Sequence, residues 1–281
     1  MKALTFLARR FVAGETADDA IAAGRKLAGR GIRATFDLLG EDVQDEGAAR
    51  RSAAAVQELL RRIPENVDRN VSIKLSMMGL DISKALATDL TGALLGTARE
   101  VGGFVRIDME SSRHTQATLD VFRDLRGTYD NVGAVLQAYL HRTELDVRDA
   151  LAHGDRIRLC KGAYKEPAEV AWSDMDRIRD SYKRYAHGLL EHGTCPAIAT
   201  HDESLIQDTI AFAREQKIDP SRFEFQMLYG LRPRKWDELV RAGYAMRVYV
   251  PYGTHWMPYF YRRLRERKEN VFFVLKSLWG G

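Results

Sequence analysis

From Gly31 onward, short β-branched or apolar runs alternate with longer polar stretches that favour helix. The runs cover residues 32–39, 71–77, 104–109, 132–139, 157–163, 197–200, 223–228 and 245–250, and segments such as 48–61, 115–126, 175–191 and 204–215 lie between them. Strands separated by helix-length segments predict a parallel sheet, because a parallel neighbour needs a long crossover. Eight repeats favour closure into a (β/α)8 barrel, with an open doubly wound sheet as the alternative. Ahead of them, residues 1–30 are predicted helical: Glu15-Thr16-Ala17-Asp18 offers caps, and Ile21, Ala22 and Leu27 form an inward stripe. No Gly/Pro/Ser-rich linker or repeat interrupts the chain. The expected organisation is one domain over 1–281: the N-terminal helical segment (1–30), the barrel (31–266) and a tail (267–281).

A chain of 281 residues can bury the core such a barrel needs. Lys and Arg (43) barely outnumber Asp and Glu (39) and are spread along the chain, which argues against nucleic acid as partner. Cys160 and Cys195 have no metal-ligand or redox spacing and read as two reduced thiols, with a disulfide as the alternative. No metal site is expected. Apolar runs fall short of the ~18 residues of a membrane span, and Arg9-Arg10 comes too early for a secretory leader. The expected location is the cytoplasm.

In a (β/α)8 barrel, chemistry gathers where strand C-termini meet their loops, and polar residues appear late in most runs. These are Lys74, Asp108 and Glu110, Gln137, Arg158 and Lys161, Thr200 and His201, Gln226, and then Arg247 with Tyr249. Singly, each has a structural explanation: an ion-pair partner, a satisfied amide, a hydrogen-bonded histidine. Together they are costly to bury without a ligand. After the last strand, Pro258 suits a helix start, and Tyr259 shares a face with Arg262 and Arg263. Adjacent guanidiniums suit a carboxylate, although the surface pairs Arg50-Arg51 and Arg61-Arg62 make such a doublet weak by itself.

With these residues in view, the chain resembles the proline dehydrogenase family, both stand-alone bacterial enzymes and the matching domain of bifunctional proline utilisation proteins. Nine segments carry the resemblance in one order. They are FDLLGE (36–41), SIKLS (72–76), RIDME (106–110), LQAY (136–139), RLCKGAY (158–164), ATH (199–201), FQMLYG (225–230), VYVPYG (248–253) and YFYRRL (259–264). The resemblance implies a distorted barrel with the last helix over its top and non-covalent FAD, although no Gly-x-Gly-x-x-Gly fingerprint is present. It implies that Arg262, Arg263 and Lys74 clamp the carboxylate of L-proline, while Tyr164, Leu228, Tyr249 and Tyr259 wall its ring. Asp108 would order the lysine and the site, Arg158 would lie beside the flavin N5, and Gln137 beside its pyrimidine edge. Met109, Lys161, Gly162, Ala163, Thr200, His201 and Glu266 would hold the rest of the cofactor. Glu41 would pair with the clamp and gate the pocket. Cys160 stands where the family more often has an aliphatic residue, a near-isosteric change.

The implied reaction oxidises L-proline to Δ1-pyrroline-5-carboxylate by hydride transfer to flavin N5, with a quinone as final acceptor. The apolar tail at 271–279 either packs on the barrel or touches a membrane surface, which would place the protein peripherally at the inner face. Two rivals share the pattern: a Schiff-base aldolase using Lys74 or Lys161, and a non-enzymatic barrel that binds anionic ligands.

Overall fold

The structure, a computed structural model, describes residues 10–40 and 43–265, the last four by backbone alone. Eight strands form a closed barrel in sequence order. They are β1 (Arg33–Leu38), β2 (Asn70–Ile73), β3 (Phe104–Ile107), β4 (Val132–Gln137), β5 (Ile157–Cys160), β6 (Ala197–Ala199), β7 (Glu224–Leu228) and β8 (Ala245–Tyr252). All neighbours pair in parallel, and β8 closes on β1 from Arg33↔Arg247 to Leu38↔Tyr252. The fold is therefore a (β/α)8 barrel.

Helices α1 (Ala17–Ala28), α2 (Glu46–Arg62), α3 (Lys84–Glu100), α4 (Ser112–Arg126), α5 (Thr143–Ala152), α6 (Met175–His192), α7 (Glu203–Glu215), α8 (Pro233–Arg241) and α9 (Trp256–Arg265) accompany the strands. Their starts follow local chemistry. Thr16 and Asp19 form a reciprocal capping box on α1, and Asp45, Ser83, Asp174 and Asp202 cap α2, α3, α6 and α7.

Strand side chains alternate with period two. One set, including Phe36, Val71, Ile107, Leu159, Phe225 and Val248, belongs to one continuous apolar core with Leu59, Leu94, Phe122, Leu189 and Ile206 of the helices. The other set points into the barrel and is largely polar: Thr35, Asp37, Ser72, Arg106, Asp108, Gln137, Arg158, Gln226 and Arg247 are all buried. Hydrogen bonds crossing between non-adjacent strands, such as Arg158 to Ser72, show where this set meets.

Three differences from the sequence expectation have local causes. The strands are shorter than the runs: β2 stops at Ile73, because the chain turns at Lys74, whose carbonyl accepts from the amides of Met77 and Met78. The pattern also left α3, α5 and α8 unnamed. Among the described N-terminal residues only 17–28 are helical. Phe11 and Val12 instead lie buried with Leu39, Leu231, Tyr259 and Phe260, and the Ala13 amide donates to the Pro251 carbonyl. This small apolar cluster seats α9 on the loops after β1 and β7, over the C-terminal mouth.

Candidate active site

Two buried ion pairs organise that mouth. The Lys74 ammonium donates to both Asp37 oxygens, at 3.0 and 3.1 Å. Burial pushes the Asp37 carboxyl up and the lysine charge pulls it back down. Arg158 donates through Nη1 to Asp108 at 2.6 Å and through Nη2 to Ser72 at 3.0 Å, with Ser72 also 3.3 Å from the Thr35 hydroxyl. The second Asp108 oxygen accepts from the Tyr249 hydroxyl at 2.7 Å, and the Arg158 guanidinium lies 5.4 Å from the Tyr249 ring centroid. Burial, with Asp108 and Asp37 nearby, raises the Tyr249 phenol well above its ordinary value and keeps it a donor.

These bonds exist because Thr35, Asp37, Ser72, Asp108, Arg158 and Tyr249 fall on inward positions of β1, β2, β5 and β8 or directly after β3. A buried charge with one partner removed costs about 3–5 kcal/mol, so each carboxylate holds its cation in one orientation. The geometry gives the direct hold on Lys74 to Asp37, whereas Asp108 orders Arg158 and Tyr249. Sequence reasoning missed Asp37, though alternation with Thr35 in β1 marks it as inward.

Two polar atoms beside this network are buried without a partner: the Gln137 side-chain oxygen and the Arg158 Nε–H. They sit on neighbouring strands, with Gln137 in register with Cys160, two residues beyond Arg158. A ring edge that offers both donors and acceptors, as the flavin pyrimidine does, would complete them. The rim continues along the β5 and β6 loops. Gly162 (φ +119°) lies against the Tyr139 ring, so close that a Cβ would fall 2.2 Å from Tyr139 Cδ1. The missing side chain is what makes room for that ring, and the positive φ is one that glycine adopts without strain. Ala163 is exposed beside it, and Tyr164 is partly buried within electrostatic reach of Tyr139. Lys161 is ion-paired to Asp202 at 3.2 Å. Thr200 is buried, its hydroxyl accepting from the Asp202 amide, and His201 Nε2 accepts from the Leu228 amide at 2.9 Å. Met109 is buried next to Asp108. Cys160 is a free thiol pushed up to about 12 by burial, hence inert.

The remaining expected residues divide. Leu228 packs against the cluster under α9 and Tyr259 belongs to it. Arg262 and Arg263 lie on α9, but their side chains are outside the described residues, as are Glu41, Glu266 and the tail at 271–279. Arg247 is a correction to the mouth reading, and Gln226 goes with it. Arg247 is the third residue of an eight-residue strand, so it lies at the opposite end, bonded to the Ala34 carbonyl, Asp68 and Glu224. Gln226 donates to the same Glu224. At that N-terminal end a cavity of about 690 Å³ opens.

A family model described as proline dehydrogenase matches residues 20–276. The chain is 41% identical to Proline dehydrogenase 1 of Bacillus subtilis (strain 168) over 272 residues, covering 96% of this chain and 90% of that protein. It is 38% identical to a Proline dehydrogenase of Deinococcus radiodurans, covering 98% and 91%. Among solved structures, proline utilization A (PutA) from Bdellovibrio bacteriovorus, inactivated by N-propargylglycine, superposes with a TM-score of 0.85 at 28% identity. That match covers 93% of this chain and 32% of the PutA chain, so this chain spans about a third of that protein's length.

Proposed function

The chain belongs to the proline dehydrogenase family, and from that premise we propose that it oxidises L-proline to Δ1-pyrroline-5-carboxylate with non-covalent FAD. The observation that carries this reading is the mouth itself: an ordered Lys74–Asp37 pair and an Arg158–Asp108–Tyr249 network, beside two orphaned polar atoms. In the reaction a C5–H bond breaks with its electron pair, the nitrogen lone pair closes the C=N bond, and the nitrogen loses a proton. No side chain accepts hydride, so bound FAD supplies the acceptor.

The chain's own residues bind, orient and exclude water. Arg262 and Arg263 with Lys74 take the substrate carboxylate, and their forks and point charge fix which ring face turns inward. Tyr164, Leu228, Tyr249 and Tyr259 enclose the methylenes, and Glu41 gates the pocket. Asp108 sets the positions of Tyr249 and Arg158. Arg158 would place its positive charge beside the ring of the bound cofactor and favour its reduced form. Gln137, Met109, Lys161, Gly162, Ala163, Thr200, His201 and Glu266 hold the remaining cofactor groups. One domain, 1–281, suffices for the half-reaction. Electrons then leave to a quinone, and the apolar segment at 271–279 supports peripheral contact at the inner membrane face; among the described residues no helix is long and apolar enough to cross a membrane. The expected location remains cytoplasmic.

A Schiff-base aldolase is disfavoured because the Lys74 and Lys161 amines are both engaged in ion pairs, with Asp37 and Asp202. The test is colour. The purified protein should be yellow and bleach on anaerobic addition of proline. Arg262→Lys and Arg263→Lys should each raise the proline concentration for half-bleaching roughly tenfold, the scale of one lost charge-assisted fork. A colourless protein, or a flavin that proline leaves oxidised, would refute the activity; unchanged half-bleaching in both variants would refute the clamp.

A further inference from the structure

The cavity at the N-terminal end of the barrel lies away from the mouth just described, and its walls are unusually cationic. Six arginines line it (Arg33, Arg106, Arg126, Arg156, Arg222 and Arg247), against Asp68, Asp130 and Glu224. Half of these cations are neutralised locally. Arg247 bonds Asp68 and Glu224, Arg33 lies 3.6 Å from Glu224, and Arg126 reaches Asp155. Among the described residues, Arg106, Arg156 and Arg222 form no direct ion pair, although Glu224 acts on Arg106 and Asp219 on Arg222 from farther away.

Arg106 is the unusual one. It is 5% exposed, and its Nη1 donates only to backbone carbonyls, those of Ala134 (3.2 Å) and Arg156 (2.5 Å). Its guanidinium carbon lies 5.0 Å from the Phe104 ring centroid, and that of Arg156 lies 5.2 Å from the same ring. Two like charges therefore share one aromatic ring at the cavity wall. Burial, aided by the neighbouring Arg158 and Arg247 charges, outweighs the pull of Glu224 and Asp108 and lowers Arg106 to about 9. Beside Phe104 in the β2–β3 register stands Asn70, 7% exposed, lining the same cavity with its side-chain oxygen unpartnered.

We propose that the N-terminal end of the barrel is a second ligand site, distinct from the redox mouth, which binds a small multivalent oxyanion on Arg106, Arg156 and Arg222. Guanidinium forks match the paired oxygens of phosphates and carboxylates alike. Asn70 adds an acceptor for a protonated oxygen, as in hydrogen phosphate. Asp130, a lining carboxylate that forms no ion pair among the described residues, sets a limit, since it disfavours ligands that spread towards it.

The test is thermal unfolding and calorimetric titration of the full chain with pyrophosphate and with citrate, against sodium chloride at matched ionic strength. The expected result is a saturable rise in Tm and a saturable heat with at least one of the two. Pyrophosphate alone marks a phosphate-bearing ligand, and citrate alone a polycarboxylate. Arg106→Met probes the buried cation but endangers the barrel floor. The combined Arg156→Gln and Arg222→Gln variant leaves that floor in place and should weaken binding roughly tenfold or more, the scale of lost charged hydrogen bonds. Its Tm without ligand and its flavin reduction by proline should match wild type. Stabilisation that only follows ionic strength, or undiminished binding in the double variant, overturns the proposal.

Discussion

At the scale of single residues, the mouth is held by carboxylates that each serve one cation. Removing only the acid strands the base, whereas removing both leaves an apolar gap that repacks more cheaply. Asp37→Asn should therefore cost about 3–5 kcal/mol of stability, and adding Lys74→Met should return part of it. Urea unfolding of the two single variants and the double variant reads this coupling; strictly additive losses would argue against the pair. Lys74, Asp108 and Arg158 were legible in the sequence because polar residues stand out late in an apolar run. Asp37 was not singled out, since an acid in a first strand has no obvious partner until the crossover brings β2 beside it. Arg247 was misplaced because a run of β-branched residues does not reveal which of its polar members lies near the start.

At the scale of elements, the alternation of apolar runs with helix-length polar segments gave the number of strands and their order but overstated their length. Lys74 shows why: residues 74–77 remain apolar enough to read as strand, yet the chain needs a turn there to send the next helix back down the barrel. The loop after β5 carries a sharper constraint. Gly162 sits at φ +119°, and a Cβ there would fall 2.2 Å from the Tyr139 ring. Gly162→Ala should cost about 2 kcal/mol or more through strain and overpacking, and should lower flavin content in the purified protein. The readouts are urea unfolding and the ratio of visible to ultraviolet absorbance. A variant with native stability and full flavin would show that this backbone approach is dispensable.

At the scale of the whole molecule, the interior is a column of charge running from Glu224 and Arg247 at one end to Asp37 and Lys74 at the other, inside an apolar sleeve. Burial pulls the Glu224 carboxyl up, but the Arg247 charge and hydrogen bond prevail and hold it at about 2, below its ordinary 4.5. A depressed carboxyl stabilises the fold above its unfolded value and loses that contribution as pH falls through the folded one. Wild type should thus exceed Glu224→Gln by about 3–5 kcal/mol near neutrality, with the gap narrowing steadily below about pH 4.5. Urea midpoints at several pH values measure it, and a gap that does not vary with pH would exclude the ionised carboxylate as its source. The (β/α)8 architecture was legible because eight apolar runs left few other ways to bury them; the floor of the column was not, because its charges pair only across the closed ring. One contact has a consequence in time. Phe11 and Val12 leave the ribosome ahead of every strand, yet their partner Phe260 emerges only after all eight. The lid therefore has a berth built long before it arrives, and a nascent chain carries bare aromatic surface until the last strand is out.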